Sequence, residues 1–111
     1  MSEIENMNIS QDIELNKDKI YKAALSTWGR SPQILVCIEE MAELTKELIK
    51  FERGKGSLEN IAEEIADVSI MLEQMALVFD CHNQIVEFKQ FKLDRLKNTL
   101  EKIKEEKWTV K

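Results

Sequence analysis

The stretch Glu39-Glu40-Met41-Ala42-Glu43-Leu44-Thr45 recurs 24 residues later as Glu63-Glu64-Ile65-Ala66-Asp67-Val68-Ser69. Both copies read Glu, Glu, apolar, Ala, acid, apolar, hydroxyl, and each lies among apolar residues spaced three and four apart, the period of an amphipathic helix. Residues three apart share a helix face, so Glu40 points with Glu43 and Glu64 with Asp67. Between the copies stands Arg53-Gly54-Lys55-Gly56, a breaker able to reverse the chain. In an antiparallel hairpin the midpoint of the two acidic pairs falls at Arg53-Gly54, which brings all four acids to one level.

Carboxylates gathered in this way repel one another, and the cluster is tolerable when a cation neutralises it or when its pKa values rise. An all-oxygen, carboxylate-rich donor set suits Mg²⁺, with Mn²⁺ as a possible substitute. The competing interpretation is a pair of solvated helix faces laced by charge pairs. Two neighbouring i,i+4 pairs, Glu43 with Glu47 and Lys46 with Lys50, are like-charged and do not stabilise a helix, which favours the metal site.

The three Gly and single Pro stand at breaks between helix-period segments, so the fold class is all-α, with four helices built about this central hairpin. Residues 1–9 are expected to be a flexible tail and 10–111 one domain. The first helix is expected near 11–27, with Ile20, Tyr21, Ala24, Leu25 and Trp28 on one stripe, and Gly29 and Pro32 divide it from a second near 32–52. That helix carries Ile34, Leu35, Ile38, Met41, Ala42, Leu48 and Ile49 on a broad apolar face, with Glu40 at its edge. Ser57 is the expected N-cap of a third helix near 57–80, whose Leu58, Ile61, Ile65, Leu72, Met75 and Phe79 stand in the same relation to Glu64. Ala42 and Ala66 are expected to let the two helices approach closely. Asp80-Cys81-His82-Asn83 marks the next break, and the fourth helix, to about 105, repeats Leu93, Leu96, Leu100 and Ile103 as a seam that needs a partner.

A chain of 111 residues and 13.0 kDa fits one small domain. Its formal charge of −5 and pI near 5.0 argue against nucleic acid or an anionic membrane as partner. Cys37 and Cys81 form no CxxC pair, and one histidine cannot complete a zinc set, so both read as free thiols in a reducing compartment. With neither a leader-like N-terminus nor an apolar run of membrane-spanning length, the expected location is the cytoplasm.

Glu40-x-x-Glu43 followed after twenty residues by Glu64-x-x-Asp67, with Glu39 ahead of the first pair, resembles the metal-binding signature of the MazG-like all-α nucleoside triphosphate pyrophosphohydrolases. The resemblance extends from about residue 19 to 103. It implies that Glu40, Glu43, Glu64 and Asp67 bind Mg²⁺, and that a nucleoside triphosphate is hydrolysed to monophosphate and pyrophosphate for nucleotide-pool control or house-cleaning. Glu39 then either supports the metal ligands from behind or helps position or deprotonate the attacking water. The family also builds sites at subunit contacts, so a homodimer or homotetramer is expected. Activity on dUTP or phosphoribosyl-ATP is an alternative within the superfamily, and a catalytically silent helical interaction module is the alternative outside enzymology.

Three further residues are candidates for substrate binding. Trp28 offers a ring to stack on a nucleobase, with core packing as its competing role. Lys92 and Arg95, on a basic strip of the fourth helix with Lys89, offer charge to a triphosphate, with solvated surface charge as theirs. Glu47 shares the face of Glu40 and Glu43 but has Met71 as its counterpart in the second copy, which leaves solvent or a second metal as its options. His82 is expected to be a turn or cap residue.

Overall fold

Why the chain breaks where it does is visible at two glycines and one serine. Gly29, at φ 85°, takes a backbone conformation that side-chain-bearing residues rarely adopt, and it separates α1 (Glu3–Trp28) from α2 (Arg30–Glu52). Pro32 sits in the first turn of α2, where a missing N–H costs nothing. Gly56, at φ 79°, closes the turn after α2, and Ser57 caps α3 (Leu58–Val78) by accepting a 3.1 Å hydrogen bond from the Asn60 N–H. α4 (His82–Thr109) follows Asp80, a non-glycine residue at φ 49°.

This computed structural model describes residues 3–109, and side-chain surroundings for 16–107. Among the described residues there are four helices and no strand, as the all-α reading expects. α1 begins at Glu3 rather than near residue 11. The chain divides into two units, Met1–Asp80 with α1, α2 and α3, and Cys81–Lys111 with α4.

In the first unit α2 and α3 form the hairpin. The α2 positions turned inward are Gln33, Cys37, Glu40, Leu44 and Glu47, all buried or half-buried at spacings of four and three. Those of α3 are Ile61, Glu64, Val68, Met71 and Met75. This corrects the expected packing. Leu35, Ile38, Met41, Leu48 and Ile49 on α2, with Leu58, Ile65 and Leu72 on α3 and Phe79 at its C-cap, remain exposed, as do Ala42 and Ala66. Each helix is apolar on two sides, and within this unit only the less greasy side of each is covered. Among the described residues the buried apolar ones are Tyr21, Cys37, Val68 and Met71, and no described side chain is completely enclosed. The hydroxyl ending each copy of the repeat plays one part twice: Thr45 donates to the Met41 carbonyl at 2.9 Å and Ser69 to the Ile65 carbonyl at 2.7 Å.

α1 docks on the hairpin through Tyr21, whose hydroxyl donates to Glu73, while the Lys17 ammonium lies 3.3 Å from the same carboxylate. The Tyr21 hydrogen bond, helped by Lys17 and opposed by partial burial, holds Glu73 below its ordinary 4.5. A carboxylate with a depressed folded-state pKa adds stability above its unfolded value and loses it as pH falls through the folded one. Tyr21→Phe should therefore cost about 1 kcal/mol at pH 7, a figure discounted for solvent screening, and the difference from wild type should shrink below pH 4.5. Urea melts at the two pH values would measure it. A loss that does not change with pH would assign it to packing instead.

Candidate metal centre

Because α2 and α3 run antiparallel about the Arg53-Gly54 turn, the acids of the two copies meet across the hairpin seam. Glu40, Glu64 and Asp67 each present a carboxylate oxygen, and these oxygens all lie within 4.8 Å of one another. Glu40 comes from α2 and the other two from successive turns of α3. All three residues are half-buried.

Glu64 bears most of the resulting electrostatic strain. Burial, then the charges of Asp67, Glu40 and Glu43, and finally a hydrogen bond with Glu40 push its pKa above the usual 4.5. Its Oε2 is shut off from solvent and has no hydrogen-bond partner. A buried acceptor without a donor is costly, and separately a cation among the three convergent carboxylates would remove their repulsion. The donor set is oxygen only, so it fits a hard divalent ion such as Mg²⁺ or Mn²⁺ and offers none of the nitrogen or sulfur ligands typical of zinc.

The other sequence candidates are distributed unevenly. Glu43 is exposed and lies outside the convergent three, although its charge reaches Glu64. Glu39 is exposed on the turn that carries Glu40, about 100° around the helix from it. Trp28 is 64% exposed rather than packed in the core, and it ends α1. Glu40 lies ten residues into α2 from Arg30, so this end of the hairpin is about 15 Å along the axis from the acids. Beside it, the Arg30 guanidinium stands 4.9 Å from the centroid of the Phe79 ring. Lys92 and Arg95 are exposed on α4, in the other unit.

Glu47 departs most from expectation. Its side chain is only 12% exposed, turned into the seam toward the turn end of the hairpin rather than to solvent. One oxygen lies 3.6 Å from the Lys50 ammonium, and the other is buried without a partner. A Cβ on Gly56 would stand 3.6 Å from that oxygen. Its spacing of seven from Glu40 places it two turns along the same inward face, a signal the sequence did contain.

Against known protein families, curated proteins and solved structures, the chain shows no match. Among the described residues, no helix is long and apolar enough to cross a membrane.

Proposed function

We propose that the chain is a cytoplasmic, Mg²⁺-dependent nucleoside triphosphate pyrophosphohydrolase with a four-helix MazG-like arrangement, working as a homodimer or homotetramer in nucleotide-pool control or house-cleaning. One observation carries this reading: carboxylate oxygens of Glu40, Glu64 and Asp67 converge within 4.8 Å of one another. These residues would hold the ion, with Glu43 beside them. A divalent ion supplies charge neutralisation for a triphosphate and lowers the pKa of a water. Glu39, exposed and next to a ligand, accepts the proton of the attacking water. The water oxygen forms a bond to the α phosphorus, the α–β anhydride bond breaks, and pyrophosphate leaves with the electron pair. Trp28 is accessible for stacking on a base, and Lys92 and Arg95 are accessible for phosphate.

A panel of canonical and modified nucleoside triphosphates, including dUTP, together with phosphoribosyl-ATP, incubated with Mg²⁺ and read by separate assays for pyrophosphate and orthophosphate, tests this reading. Pyrophosphate with a monophosphate is the expected product pair, and the best substrate separates the sister activities. Orthophosphate with a nucleoside diphosphate would move the cleaved bond.

The exposed apolar faces of α2 and α3 favour a second component of the reading, the homo-oligomer, because an isolated helical hairpin gains little from surface it leaves in water. They suit a catalytically silent interaction module equally well, and no hydrolysis of any substrate in the panel would favour that module.

A further inference from the structure

The second unit, described by itself, is one helix, and a single helix has nothing within its unit to cover an apolar stripe. In the C-terminal half of α4 that stripe is narrow and regular. Leu93, Leu96, Leu100 and Ile103 alternate spacings of three and four and are 44–60% exposed, and the three leucines with Lys97, Glu101 and Lys104 line a shallow groove along the helix. Lys89 and Lys107 occupy the same stripe one step beyond either end, so the apolar seam is about two heptads long and bounded by charge.

We infer that α4 pairs with α4 of a second copy in antiparallel orientation, about a two-fold axis at the level of Asn98. In this register Leu93 lies opposite the partner's Ile103 and Leu96 opposite the partner's Leu100, and symmetry repeats both contacts. The flanking charges select the orientation. Antiparallel pairing sets Lys92 beside the partner's Glu106 twice and Thr99 beside its own copy, with Lys97 facing the partner's Lys97 as the single like-charged flanking contact. Parallel pairing instead sets Lys92 beside the partner's Lys97 twice, next to the apolar layers, and gives Glu106 no cation among the described residues across the seam. Like charges placed across a seam are a device against the wrong orientation. The inference rests on the proposed homo-oligomer and is independent of the acidic site.

Spin labels on Asn98→Cys and on Glu105→Cys, each in full-length chain carrying Cys37→Ala and Cys81→Ser, test the register without divalent ions. At 1.5 Å per residue the two labels at 105 are displaced along the axis by about 21 Å and those at 98 by none, whereas a parallel pair gives both positions the same separation. The expected result is a longer interspin distance at 105 than at 98. Sedimentation adds a charge test: Lys92→Glu should weaken self-association about 3-fold to 10-fold, and Lys92→Glu combined with Glu106→Lys should restore it. A monomer at micromolar concentration overturns both this pairing and the homo-oligomer. An oligomer with equal label distances, or one indifferent to the charge exchange, overturns the α4 pairing alone.

Discussion

Replacing Glu64 with Gln is expected to stabilise the metal-free chain and at the same time sharply weaken its divalent-ion binding. The two effects have one cause. Burial and the neighbouring Asp67, Glu40 and Glu43 disfavour the charged form of Glu64, so its folded-state pKa is raised. A carboxylate in that position favours folding below its ordinary pKa of 4.5, and this contribution is lost as pH rises through the folded value. A neutral amide of the same shape removes the repulsion at neutral pH, and the melting temperature without metal should rise. The same exchange removes the negative charge from one of the three convergent ligands, and affinity for Mg²⁺ or Mn²⁺ should fall by about 100-fold, the upper end of what disturbing a metal's surroundings costs. Calorimetric titration and thermal melts of both proteins, with and without Mn²⁺, would show wild type gaining stability with metal and the variant none. Equal ion affinity in the two proteins would dismiss the metal site.

Turnover should respond most to Glu39. Glu39→Gln keeps the size and hydrogen-bonding reach of the side chain but cannot take a proton, so kcat is expected to drop by about 10²-fold to 10⁴-fold, the span general-base catalysis contributes. Because Glu39 is exposed and outside the convergent three, ion affinity and melting temperature should stay at wild-type values. That separation distinguishes a base from a ligand. If kcat persists, another group takes the proton, and if ion binding falls in step with kcat, Glu39 belongs among the ligands.

The elements were legible in the sequence because their signals are local. Ser57 caps as its type suggests, Gly29 takes the positive φ that only glycine adopts cheaply, and the repeat placed Glu40 against Glu64 and Asp67 by counting residues on either side of one turn. Which face each helix covers was not legible. Met41, Leu48, Ile65 and Leu72 form stripes more apolar than Cys37, Leu44, Val68 and Met71, and periodicity favours the greasier one. The hairpin instead closes on the face that carries the acids. Hydrophobic pattern reports that a face will be covered, not by which neighbour, and a chain with two such faces per helix leaves that choice to tertiary context. Of the two options for Glu47, burial of its side chain removes solvent, in keeping with the spacing that sets it on the face of Glu40.

Glu64 and Asp67 are three residues apart, but Glu40 lies 24 residues ahead of Glu64, on the other arm of the hairpin. A three-oxygen site thus exists only after the intervening loop has closed and both helices have formed, and the entropy of that closure is spent before any ion can be held. An ion held there stabilises only chains whose hairpin has closed, so it slows unfolding wherever the hairpin opens after the transition state is crossed and speeds refolding wherever the hairpin is already closed in it. Refolding and unfolding rates with and without Mn²⁺ would therefore report when the two arms come together, and the same ion would protect the chain from proteases that attack its opened form.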